Sequence, residues 1–353
     1  MSLWNWIYQF IGRAEAAGDT LRADLFRPFQ DALELFETDP DQAFGLLAEG
    51  RQAAQQLREA WWILFYEHWQ MQVLLFYKPD LKAALDMSVR CAVETRKETY
   101  AQFPQRVCLH EDLINAYMGS DPAGYADQIV QALDYIQAEV TPDVDCRFCL
   151  QGMRVEFALL MRRLDEAERE TAIYTAMTQR TGHYLTAAHT SQCSLSYLRQ
   201  QWDSLLGWAQ AGEALARRHD KPQWLLEFLA WQAFALQKTG QSEAAQRIFR
   251  SIMLQEKRLG AVPTESYFTA LSTYHEISGE YSEAMEVRRR QLATLVGKGK
   301  TQTEVECRLH ILRLLQQMGL PLGEEMTAAR DIAAQLVDPS RYLAEFDQLS
   351  RGV

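Results

Sequence analysis

Apolar residues return at intervals of three and four over most of the chain, the spacing that lays side chains along one face of an α-helix. Trp224, Leu225, Phe228, Leu229, Ala233 and Leu236 form one such stripe; Ile248, Phe249, Ile252 and Met253 form the next. Short polar breaks separate the stripes, each followed by a small residue that opens a new amphipathic run. Thr239-Gly-Gln-Ser-Glu-Ala-Ala245 and Ser278-Gly-Glu-Tyr-Ser-Glu-Ala284 are the clearest breaks, with Arg163-Leu-Asp-Glu-Ala167 and Gln201-Trp-Asp-Ser-Leu205 as weaker copies. Upstream, Asp39-Pro-Asp-Gln-Ala43, Lys78-Pro-Asp-Leu-Lys-Ala-Ala84 and Asp121-Pro-Ala-Gly-Tyr-Ala126 hold the corresponding places.

Anchored on Ala43, Ala84, Ala126, Ala167, Leu205, Ala245 and Ala284, the breaks are spaced by 41, 42, 41, 38, 40 and 39 residues. One further step lands near Glu324, inside Met318-Gly-Leu-Pro-Leu-Gly-Glu-Glu325. A regular period of this length marks a repeat architecture. Each unit reads as a helix of about 15–18 residues, a tight turn and a second helix of similar length. One such hairpin cannot bury its own apolar face, so the units must stack. The expectation is an all-α, α-α superhelical solenoid of seven or eight hairpins over residues 19–337, with longer joints at Glu139–Thr141 and Gly260–Pro263. A short helix over residues 1–18 caps one end, with Leu3, Trp4, Ile7, Tyr8 and Ile11 on one face. Residues 338–353 cap the other through Tyr342, Leu343, Phe346 and Leu349.

Gly279-Glu-Tyr-Ser-Glu-Ala284, preceded by Phe268, Leu271 and Ser272, resembles the core signature of a tetratricopeptide repeat. Ala233, Gly240, Ala245 and Phe249 match it, and Cys193, Trp202 and Leu205 match in outline; the first three units carry Pro40 or Pro79 near the turn instead. The family's typical repeat is about 34 residues, so the longer period here is similar to the extended subclass found in peptide-sensing bacterial regulators. The resemblance implies a right-handed superhelix whose first helices line a concave groove. Mapped onto this chain, the groove-facing residues are Tyr66, Trp69, Gln70, Phe76 and Tyr77, then Glu111, Asp112, Asn115, Glu156, Thr190, Ser194 and Tyr197. Further along come Glu227, Trp231, Gln237, Thr269, Thr273 and Glu276. That surface is aromatic and acidic and nearly free of Lys and Arg. It suits a protein or peptide bearing basic or aromatic side chains, and it lacks the basic clamp with which some family members hold a C-terminal carboxylate.

Composition supports the helical reading: 353 residues hold only 18 Gly and 10 Pro, with 48% apolar residues. A net charge of −11 makes nucleic acid a poor partner, because its phosphates meet a repulsive average field. The basic run Arg288, Arg289, Arg290 reads as a solvated outer helix face. Met1-Ser-Leu-Trp-Asn-Trp carries no basic n-region ahead of an apolar stretch, so no secretory leader is expected. The apolar stretch Ala60–Tyr77 is interrupted by Glu67, His68, Gln70 and Gln72 and reads as a buried helix, not a membrane span. Six cysteines in a chain of this length do not make a disulfide scaffold, and a reduced, cytoplasmic protein is expected.

Chemistry is scarce. Gly299-Lys-Thr301 resembles the end of a phosphate-binding loop, but Thr294 stands where its first glycine belongs, and it reads as a loop between units. His110-Glu111 lacks a second histidine four residues on, where Ile114 stands, and no nucleophile elbow exists. Cys146 and Cys149 form a C-x-x-C, with Cys108, His110, His183, His189 and Cys193 as conceivable company. Cys108 and Cys149 hold the same slot in adjacent repeats, filled elsewhere by Tyr66 and Ala187, so core packing is the preferred reading. No catalytic residue, cofactor or metal is expected. The function expected is a binding scaffold, with a peptide-sensing regulatory protein, or the sensor subunit of a larger signalling or defence assembly, without its own DNA-binding domain as the alternative.

Overall fold

A computed structural model describes residues 2–139, 146–182, 184–259 and 263–351, with the side chains of 258 and 259 left out. Among the described residues the regular structure is helical, with no strand. The chain divides into two compact units, Met1–Leu150 with Gly297–Lys300, and Gln151–Val296 with Thr301–Val353.

The first unit carries α1 (Leu3–Ala16), α2 (Thr20–Ala23), α3 (Arg27–Leu33), α4 (Pro40–Gln56), α5 (Ala60–Gln72), α6 (Leu81–Glu94), α7 (Arg106–Ser120), α8 (Ala126–Glu139) and the start of α9 (Cys146–Leu160). Helix α4 packs on α5, α6 on α7 and α7 on α8, while α5 also meets α7. In the second unit follow α10 (Leu164–Thr181), α11 (Leu185–Leu198), α12 (Trp202–Arg218), α13 (Pro222–Lys238), α14 (Ser242–Leu259), α15 (Glu265–Ile277), α16 (Tyr281–Leu295), α17 (Thr301–Gln317), α18 (Gly323–Ala333) and α19 (Ser340–Arg351). Here α10 to α14 pack in succession and α15 to α19 likewise, and α13 reaches both α11 and α15. Contact between consecutive helices and between alternate ones is the packing of a helical solenoid.

The repeat anchors mark the helix crossings. Ala43, Ala84, Ala167, Leu205, Ala245 and Ala284 are each the fourth residue of the second helix of a hairpin, and each is fully buried. Two anchors differ. Ala126 opens α8 half-buried and Ile129 takes the buried place, while Glu324 is exposed in the first turn of α18 and Ala329 is buried.

The turns are built in two ways. In the first unit, acidic caps satisfy the free amides of a helix N-terminus. Asp39 accepts from the Gln42 amide at 3.0 Å, ahead of Pro40 in the first turn, and Asp80 accepts from the Ala83 amide at 3.1 Å. In the second unit a left-handed residue stands two places before the second helix: Arg162, Gln200, Gly240 and Gly279. The amide after each closes on a carbonyl five residues back, Arg163 to Ala158, Gln201 to Ser196, Gln241 to Leu236 and Glu280 to His275, at 2.8–2.9 Å. This is the six-to-one bond of a Schellman turn, so the glycine breaks and their weaker copies are one structure.

Close approach between helices recurs seven residues past two anchors. Gly50 lies against the ring of Tyr66 and Gly212 against the ring of Phe228, where a Cβ would collide with the aromatic carbons.

The caps depart from expectation in one detail. In α1 the buried face is Trp6, Ile7 and Ala14, with Leu3, Phe10 and Ile11 packed beside it, while Trp4 and Tyr8 are exposed. Trp6 meets Trp62 at 5.0 Å and Phe103 at 5.7 Å between ring centroids. At the other end Tyr342 and Phe346 are buried in α19, with Leu343 and Leu349 against the same core. Gly297–Lys300 forms a loop between α16 and α17. The joints expected at Glu139–Thr141 and Gly260–Pro263 fall largely outside the described residues.

Three glycine substitutions test this framework by thermal denaturation. Gly212→Ala overfills the Phe228 contact and should cost about 1–3 kcal/mol. Gly279→Ala places a Cβ in the left-handed region and should cost about 1 kcal/mol. Gly12→Ala, in α1 with open space around it, should gain about 0.5–1 kcal/mol.

Candidate functional site

The first helices of successive hairpins carry the groove residues expected from sequence, and the structure sorts them by depth. In α5, Tyr66 is fully buried and its hydroxyl donates to the Leu25 carbonyl. Gln70 is buried with its Oε1 lacking a hydrogen-bond partner among the described residues. Trp69 is half-buried, stacking near Phe29 at 4.7 Å and Phe36 at 6.0 Å. At its end α5 widens into a π-helical turn over Val73–Tyr77, where the Lys78 amide reaches back five residues to the Val73 carbonyl. Phe76 is 56% and Tyr77 39% exposed just there.

In α7, Asp112 is fully buried and bridges two residues of α5: His68 Nδ1 lies 2.7 Å from one carboxylate oxygen, and Gln72 Nε2 donates to the other at 2.6 Å. Glu67 pairs with Arg51 at 2.9 Å and accepts from the Cys91 thiol at 3.2 Å. The four residues interrupting the apolar stretch of α5 are thus buried or half-buried and face helices rather than water. Glu111 is 8% exposed, and its Oε1 has no partner among the described residues. Burial raises its carboxyl well above the usual carboxylate range, helped by the nearby Cys146 and Asp112. Its neighbours are sulfurs: Cys108 Sγ lies 3.9 Å from Cys146 Sγ, and a carboxylate oxygen of Glu111 lies within 4.8 Å of both. These three are the described residues placed to hold a metal ion. The Cys146 contact, burial and the Glu111 charge all raise the Cys108 thiol. Beside them His110 is held down to about 4 by burial and by Arg96 and Arg106. Asn115 is half-buried.

In the second unit Glu156 is exposed, while Ser194, Tyr197, Gln237 and Thr273 are half-buried. Tyr197 meets Trp231 at 5.0 Å and Phe234 at 5.5 Å. Trp231 and Glu227 are buried in α13. Glu227, 1% exposed, accepts from the Thr264 hydroxyl at 2.6 Å. Burial raises its carboxyl to about 7, with Thr264 and the Trp231 indole pulling it back. Glu276 is half-buried and bonded to His310 at 2.9 Å and to the Ser272 hydroxyl at 3.1 Å. Burial opposes its charge, but His310 and Ser272 hold the carboxyl below its usual value.

One expectation is corrected. Arg288 is 4% exposed and not on a solvated face. It donates to Gln291 at 2.8 Å and lies 3.4 Å from His310 Nδ1, so a guanidinium stands beside Glu276 where a basic group was not expected. Arg289 is exposed and Arg290 pairs with Glu256. Sequence reasoning did not assign His68 and Gln72 as partners of Asp112, and it weighed Cys108 as company for Cys146 but preferred core packing. The available signal was the three-residue spacing of Cys108 and Glu111, which puts both on one face of α7.

Comparison with protein-family models finds no match, and none of the curated proteins matches the chain. No helix among the described residues is long and apolar enough to cross a membrane.

Glu227 links stability to pH. Its folded value near 7 lies above the ordinary 4.5, so the folded chain holds this proton where the unfolded chain has lost it. The contribution is complete below about pH 4.5 and lost as pH rises through 7, an amplitude of about 3 kcal/mol. Glu227→Gln, neutral at every pH, should flatten that fall in urea titrations at pH 5, 6, 7 and 8.

Proposed function

We propose that this chain is a cytoplasmic protein- or peptide-binding scaffold of the tetratricopeptide-like kind, holding a segment with basic and aromatic side chains against its first helices. What supports this reading is stacked helical hairpins that carry aromatic and acidic residues on those helices. The observation that carries it is the exposed pair Phe76 and Tyr77. Their neighbours continue the aromatic row inward, Tyr77 lying 5.4 Å from Phe36, which in turn meets Trp69.

The charges around this pair favour a cation. Burial and the nearby carboxylate of Glu37 both raise the Tyr77 hydroxyl. Lys78, the next residue in the chain, is already paired with Asp41. An arriving Lys or Arg therefore finds ring faces and an acid together, the combination that stabilises cation–π contact. Exposed Tyr and Phe anchors also supply apolar area at small entropic cost.

Capture from native lysate tests the reading on side chains whose loss leaves the core intact. A Phe76→Ser/Tyr77→Ser chain should melt within a degree or so of the parent and retain its bound partner at least about tenfold less well. Capture of the same proteins at the same yield would refute this surface as the binding site.

A further inference from the structure

The Cys108, Glu111 and Cys146 side chains converge, their ligand atoms all lying within 4.8 Å of one another. We infer that they form a zinc site, with two thiolates and one carboxylate as ligands and the fourth position open to solvent.

The geometry is the first ground. A Zn–S bond of about 2.3 Å with tetrahedral angles sets a sulfur–sulfur edge of about 3.8 Å and a sulfur–oxygen edge of about 3.6 Å. The two sulfurs stand 3.9 Å apart, so that edge is already formed. The Glu111 oxygen, within 4.8 Å of both sulfurs, closes the remainder by a small rotation of a side chain with flexible torsions. A disulfide would instead need the sulfurs at about 2.05 Å, roughly half their present separation.

The second ground is the unsatisfied carboxylate. Glu111 is 8% exposed and its Oε1 has no hydrogen-bond partner among the described residues. A buried carboxylate left in this way costs free energy that a cation recovers. The acceptor set selects the ion: paired sulfurs favour zinc over magnesium or calcium, which prefer oxygen, and the carboxylate disfavours copper(I). Cys108 and Cys146 each retain an exposed edge, so the ion has a way in.

The placement gives the site a structural meaning. Cys108 and Glu111 sit one turn apart on α7, while Cys146 opens α9. A bound ion ties the first helix of one hairpin to the first helix of the next. Cys149, one turn along α9, is not among the converging groups, so the C-x-x-C read from sequence is not itself the ligand pair.

The test uses the whole 353-residue chain, purified with reductant and stripped by a chelator, then titrated with Co²⁺ and back-titrated with Zn²⁺. One equivalent of Co²⁺ should bind with sulfur-to-cobalt charge-transfer absorption, and Zn²⁺ should displace it and raise the melting temperature. Cys108→Ser and Cys146→Ser should each weaken binding by at least about 100-fold, and Glu111→Gln by at least about tenfold. Cys193→Ser, a buried thiol elsewhere, should leave it unchanged. Should a serine variant lose its helical circular dichroism, Glu111→Gln carries the test, since it removes only a charge. Absent charge-transfer bands, binding indifferent to Glu111→Gln or Cys108→Ser, or an intact mass showing Cys108 and Cys146 oxidised to a disulfide in the stripped protein would each overturn the assignment.

Discussion

Where the two helices of a hairpin cross, the fourth residue of the second helix is walled off from solvent completely, and in five of the seven hairpins that show this it is alanine, with Ile129 and Leu205 in the other two. That contact fixes how near the axes come, and so which residues on either side are enclosed. At the alanine crossings a larger side chain would have to displace the facing helix, whereas Ile129 and Leu205 fill the same place in their own hairpins. Glycines answer the same demand one level up: Gly50 and Gly212 leave room for an aromatic ring of the following helix to lie on the backbone itself. The forty-residue rhythm is the trace of this steric requirement, repeated because each hairpin is incomplete without the next.

The architecture was legible because steric demands leave small residues at regular intervals. The caps at Asp39 and Asp80 and the glycine turns at Gly240 and Gly279 are likewise written in residue types that few other positions call for. The copies at Arg162 and Gln200 are not, since an arginine or glutamine in the left-handed region carries no compositional mark. The same holds at Ala126, where one turn of slippage moved the buried position to Ile129 without disturbing the pattern of apolar residues.

Side-chain depth was much less legible. Asp112, Glu227 and Glu276 were expected along an open groove because the tetratricopeptide resemblance maps their positions there. The structure meets their polarity from neighbouring helices instead: His68 and Gln72 for Asp112, Thr264 for Glu227, His310 and Ser272 for Glu276. Those partners lie 34 to 44 residues away in sequence or on the same helix turn, at roughly the separation of one repeat. Arg288 was misplaced for the same reason, its neighbours on α16 suggesting a uniformly basic face. Buried polar groups of this kind reward exact partnership and penalise its loss, which makes them specifiers of how adjacent hairpins register.

The widened turn at the end of α5 has a consequence of its own. An extra residue in a helical turn rotates everything beyond it by about 100° around the axis, and here that rotation coincides with the switch from enclosed rings to Phe76 and Tyr77 facing water. Shortening this stretch by one residue would return the backbone to ordinary winding and re-aim the side chains at its end by about 100°. The direction in which this helix end presents its rings therefore depends on the number of residues in one turn as well as on their identity.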